Sequence, residues 1–162
     1  MKLFASIAAA IMLCAPAIAR DSLGVFDSWG AFRDPQVPRC YAIAAAESSS
    51  QQRRFEPFAS VGTWPNRGVR NQLHIRLSRE VREGGVIRLR VRRDTFELVG
   101  GGGDAWARHK RIDAAVIAAM RSASSMRVTA IDKSGNRFSD RYDLTGAATA
   151  IDAATVGCAR RR

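Results

Sequence analysis

QLHIRLS at residues 72–78 and VIRLRVR at 86–92 decide the fold. In the first, Leu73, Ile75 and Leu77 face one way, and Gln72, His74, Arg76 and Ser78 the other. In the second, Ile87, Leu89 and Val91 oppose Arg88, Arg90 and Arg92. Strict period-two alternation marks antiparallel strands with one face buried and one solvated. Gly84-Gly85 suits a turn between them, and the two runs are expected to pair.

Upstream, GVFDSWGAFR (24–33) reads as one strand, with Val25 and Trp29 on one face and Phe26 and Phe32 on the other. Pro35 and Pro38 end it. RCYAIAAA (39–46) reads as the next strand, 47–54 as a polar loop, 57–62 as a short strand and TWPNRG (63–68) as a turn cluster. Downstream, TFELV (95–99) continues the strand series, and Gly100 to Gly103 reads as a flexible loop. Ile112, Val116, Ala119, Met120 and Ala123 make a helical stripe over 110–123, with Asp113 in its first turn and Arg121 in its last. MRVTAI (126–131) and NRFSDRYDL (136–144) are strands around Lys133-Ser134-Gly135. Thr145 is placed to cap a final helix over 146–156, with Gly157 as its C-terminal stop. About eight short strands and two short helices, with no alternating strand–helix order, predict a mainly β fold. The expected form is an antiparallel sandwich or barrel with a helix over one opening.

Residues 1–19 carry Lys2, an apolar run from Leu3 to Ala15 and the small-x-small site Ala17-Ile18-Ala19, the pattern of a cleaved signal peptide. A lipidation site at Cys14 would need a small residue before it, and Leu13 is large. The expected mature chain, 20–162, has one domain's worth of residues and no apolar segment long enough to span a bilayer. It retains Cys40 and Cys158, and an even pair in an exported chain favours a disulfide over two buried free thiols.

Loss of Lys2 leaves 25 basic against 15 acidic residues, a formal charge of +10, and only Lys110 and Lys133 of those are lysines. Arginine binds phosphate and carboxylate in a fork where lysine acts as a point charge. His74, Arg76, Arg88, Arg90 and Arg92 therefore form a possible anion-binding face, against the alternative of an ordinary solvated face interleaved with Glu80, Glu83 and Glu97. Asp104 and Trp106 read either as a binding loop or as a turn cap and a core plug. The glycine run lacks the Gly-Lys-Ser/Thr of a phosphate loop. His74 and His109 have no metal-ligand spacing, no Gly-x-Ser-x-Gly elbow occurs, and no carboxylate pair is indicated. No catalytic residue, metal or cofactor is expected.

DAWARHKRIDAAVIAAMRSASSMRVTA (104–130), the Phe26 to Trp29 start followed by Cys40-Tyr41, and the closing YDLTGAATAI (142–151) before Cys158 together resemble the invasion-associated locus B family of exported bacterial proteins. The resemblance spans nearly all of 20–162, except that Ala147 stands where the family usually has an aromatic residue. It implies a periplasmic or outer-membrane-associated location, a mainly β fold with a terminal disulfide, and no catalytic residues. The expected partners are anionic envelope components (lipid head groups, lipopolysaccharide or acidic glycan) or an envelope protein, with no nucleic acid. The family is named for a role in host-cell invasion, but an invasion role is not carried over on the name alone; a link to invasion or envelope integrity is an expectation. The rival expectation is a hydrolase acting on an envelope polymer, its site assembled from distant residues.

Overall fold

The computed structural model describes residues 20–159. The signal peptide expected at 1–19 and the basic end at 160–162 lie outside the described residues. The chain runs β1 (Asp21–Phe26), β2 (Trp29–Asp34), β3 (Arg39–Ala45), β4 (Phe58–Trp64), a 3-10 turn (Pro65–Arg67), β5 (Val69–Val81), β6 (Ile87–Val91), β7 (Asp94–Ala107), α1 (Lys110–Met120), β8 (Ser125–Ile131), β9 (Arg137–Asp143) and α2 (Ala147–Ala159). The strands form one antiparallel sheet of nine, ordered β1-β2-β3-β4-β5-β7-β6-β8-β9. The mainly β, antiparallel expectation holds.

This sheet rolls back on itself. Val81 at the end of β5 bridges to Asp132 beyond β8, and Arg82 N donates to Ile131 O. Glu47 N donates to Arg141 O of β9, and the Trp29 indole Nε1 donates to Asp143 O at 2.9 Å. The inward residues of the alternating runs, Leu73, Ile75, Leu77, Ile87, Leu89 and Val91, are buried with Trp29, Met126, Val128, Phe138 and Tyr142 in one core. Helix α2 covers the β1–β4 part of the sheet, and α1 packs on β5, β6 and β7.

Five local expectations change. GVFDSWGAFR is a hairpin rather than one strand: Asp27 takes a left-handed φ of 49°, and Phe26 pairs directly with Trp29. The glycine run is not a loop but the middle of β7, where Gly103 lies under the Phe55 ring with no space for a Cβ. A glycine inside a strand marks such close approach. The runs at 72–78 and 86–92 do not pair, because β7 lies between β5 and β6. Gly157 does not stop the last helix. It lies inside α2, where an added Cβ would sit 2.5 Å from Leu23 Cδ1. The Thr145 hydroxyl donates to Asp143 Oδ1 instead of capping α2.

Cys40 of β3 and Cys158 in the last turn of α2 form the disulfide, with Cα atoms 5.7 Å apart and a sequence separation of 118. In the chain-entropy view a bridge closing so long a loop stabilises by about 5 kcal/mol, before any native strain. At the other end of α2, Gly146 has φ 83°, and an added Cβ would lie 1.9 Å from Phe26 O. A Gly146→Ala variant should lose roughly 2–4 kcal/mol of unfolding free energy, from left-handed strain plus overpacking. Denaturant unfolding checks this, and a loss below about 0.5 kcal/mol would show that α2 can move off the β1–β2 turn.

Candidate functional site

The outward side chains of the rolled sheet fall into two clusters. The first lies on β6, β8 and β9. Register places Arg90 of β6 directly opposite Arg127 of β8, and Arg127 directly opposite Arg141 of β9. All three are exposed. Directly opposed residues in an antiparallel pair hold their Cβ atoms about 5 Å apart, and like charges so placed repel. Arg88 and Arg137 are exposed on the same face. Arg90, Arg92, Arg127 and Arg141 line a depression of about 360 Å³ with Ser124, Ser125 and Met126 and no carboxylate. Among the described residues, Arg141 has one ion pair, to exposed Glu47 at 3.3 Å, and Arg90 and Arg127 have none.

The second cluster lies on β5 and β7. His74 is opposite Trp106, and Arg76 is opposite Asp104. The imidazole stacks on the indole with centroids 5.2 Å apart and an interplanar angle of 18°. Asp104 accepts from both neighbours, through Oδ1 from His74 Nε2 at 2.9 Å and Oδ2 from Arg76 at 2.5 Å. Phe58 meets the His74 ring edge-on, and the Arg76 guanidinium lies 4.0 Å over the Phe55 ring.

The expected five-residue face is therefore divided. Arg88 and Arg90 stay together on β6, while His74 and Arg76 join Asp104 and Trp106, which lie on strand β7 and form neither a loop nor a turn cap and core plug. Arg92 sits in the β6–β7 turn with φ 53° and donates to Ser122 O. Trp106 is 37% exposed, so it does not plug the core. Arg127 and Arg141 escaped the sequence reading although their alternation with Met126, Val128, Asp140 and Tyr142 was visible. The missing information was which strand lies beside β6.

A second basic depression, of about 510 Å³, is lined by Arg53, Arg54, Arg79 and Lys133 together with Glu80 and Asp132. Its carboxylates are already engaged: Glu80 pairs with Arg54 and Lys133, and Asp132 with Arg79. Asp132 is held below the usual carboxylate range by the Asn136 N–H and then by Arg79. This depression is the more nearly neutralised of the two.

Two buried carboxylates bear on the hydrolase expectation. Asp113 of α1 accepts from Leu73 N at 2.8 Å, and Asp140 of β9 from Ser78 N at 2.9 Å. Leu73 immediately precedes the first stretch of β5–β7 pairing, and Ser78 lies where that pairing breaks register between Arg76 and Val81. Each carboxylate thus serves a backbone donor that lacks a strand partner there. Five residues of strand separate those donors by about 17 Å, well beyond the span of a carboxyl pair sharing one glycosidic bond. Among the described residues, no group of three or more His, Cys, Asp and Glu side chains could hold a metal ion.

Neither a protein-family model nor a curated protein matches the chain in sequence. One solved structure is similar in fold: the crystal structure of invasion associated protein B from Bartonella henselae. The TM-score is 0.60 at 16% identity, over 82% of this chain and 95% of that one.

Burial pushes the pKa of Asp140 up, against the opposing Ser78 hydrogen bonds and the charges of Arg53 and Arg79. A carboxyl whose folded pKa exceeds its unfolded value contributes stability as pH falls through the folded value, and the gain is complete below the unfolded value of about 4. Asp140→Asn keeps an acceptor for Ser78 N but cannot titrate. Its stability relative to wild type should therefore be highest at neutral pH and decline as pH drops toward 4. Urea unfolding from pH 7 to pH 4 reads this difference, and a pH-independent difference would contradict the assignment.

Proposed function

We propose that this chain is an exported, non-enzymatic envelope protein of the invasion-associated locus B type that binds an anionic, phosphate-bearing surface through the outer face of β6, β8 and β9. The observation that carries the reading is the Arg90–Arg127–Arg141 row. Three like charges opposed across neighbouring strands cost stability, and a bound anion bridging them would offset that cost. Arginine suits the role because its planar fork grips phosphate oxygens in pairs. The disulfide fits an oxidising compartment, and the apolar run before Arg20 fits export. No described helix is long and apolar enough to cross a membrane. The fold neighbour is named for an association with invasion, and a part in invasion or envelope integrity is the physiological extension of the same reading.

The test is vesicle co-sedimentation of the mature protein and of a variant with Arg90, Arg127 and Arg141 all changed to Ser. At about 1 kcal/mol per basic residue near an anionic surface, the triple variant should bind about 100-fold more weakly. Its residual binding should also be less sensitive to salt. Changing Arg67, Arg70 and Arg111 to Ser removes the same charge elsewhere on the exposed surface and should have a smaller effect. Equal losses in the two variants would reduce the face to net charge alone.

A further inference from the structure

We propose that Trp106, His74, Asp104 and Arg76 form a second binding site, a platform on the outer face of β5 and β7 for an uncharged saccharide. This proposal does not rest on the arginine row or on vesicle binding.

Trp106 is the one aromatic residue among the large exposed hydrophobic side chains of the described chain. An exposed indole on a regular strand forgoes the burial that tryptophan usually obtains. It is also held in place. His74 stacks against one ring face, Phe58 braces His74, and the imidazole is bonded to Asp104. The other flank is open: β6 pairs with β7 only over Asp94–Leu98, so no strand runs beside Trp106 on the side away from β5. Two-residue spacing along β7 places Asp104 about 7 Å from Trp106 on the same face. A sugar ring lying on the indole would bring its hydroxyl rim to Asp104 and Arg76.

The chemistry selects the ligand class. A pyranose has an apolar C–H face, which stacks on an aromatic ring, and hydroxyls that both donate and accept. The carboxylate retains lone pairs beyond the two already engaged, and the guanidinium retains donors beyond the one used on Asp104. An anionic ligand would meet Asp104 and a cationic one Arg76, whereas an uncharged polyhydroxyl ligand meets opposition from neither. Each polar group is already fixed by its neighbours, with Arg76 clamped between Asp104 and the Phe55 ring, so little side-chain freedom is lost on binding.

The experiment titrates the mature protein with uncharged oligosaccharides (maltotriose and the β-1,4-linked trimer of N-acetylglucosamine) while NMR follows the three indole N–H resonances of Trp29, Trp64 and Trp106. The Trp106 resonance should shift saturably with at least one of them, while buried Trp29 stays in place. Trp106→Ala should abolish binding, read from neighbouring amide shifts, with the Trp29 resonance reporting an intact fold. Asp104→Asn should weaken binding at least tenfold. The proposal is overturned by the absence of a saturable shift with either sugar, or by binding that survives Trp106→Ala. It is overturned equally if neither sugar binds and Trp106→Ala lowers vesicle binding, which would make the indole a membrane anchor.

Discussion

The attachment of α2 to the sheet is the constraint on which the rest of the structure depends. The disulfide from Cys40 fixes the C-terminal end of the helix to β3. Gly146, seated against Phe26 O, fixes the N-terminal end to the β1–β2 turn. Between them Ala147, Ala150, Ile151 and Ala154 are buried, and small side chains let the helix lie close over β1–β4. Arg121 at the end of α1 forks onto Asp152 of α2, so the two helices are also linked. With α2 in place, the Trp29 indole and Glu47 N meet β9 and hold the roll of the sheet.

That roll sets up the outer surface. Inward-facing residues of the alternating strands are consumed by one core, so polar residues of the same strands must face out. Because β7 separates β5 from β6, the outward arginines divide. Arg76 falls beside a carboxylate and is neutralised, while Arg90 falls beside Arg127 and is not. One sheet thus carries a charged cluster and a separate aromatic, charge-balanced one. The buried carboxylates belong to the framework. Asp113 and Asp140 take up backbone donors on β5 outside the stretches where β7 pairs with it.

Much of this was legible in the residues. The period-two runs around Leu73 and Leu89 located the core face, the stripe from Ile112 to Met120 located α1, and the two cysteines located the bracket. What escaped depended on partners distant in sequence. Asp27-Ser28 is a weak turn signal inside an aromatic segment, and the hairpin there is fixed by Gly146 from the far end of the chain. Four glycines read as a flexible loop because nothing local shows that Phe55 packs against one of them. Gly157 read as a helix stop because its close approach to Leu23 is tertiary. The arginine row was invisible for the same reason: alternation gives the face a residue occupies, and strand order alone gives its neighbour.

The central claim is that the charge of this protein acts through one geometrically defined row. The most direct measurement follows arginine side-chain Nε–Hε resonances during titration with a soluble short-chain phosphatidic acid below its micelle concentration. The account predicts that Arg90, Arg127 and Arg141 shift together and saturate first, while the engaged Arg76 and Arg79 stay in place. Shifts spread evenly over the exposed arginines, with no saturation at the row, would contradict it.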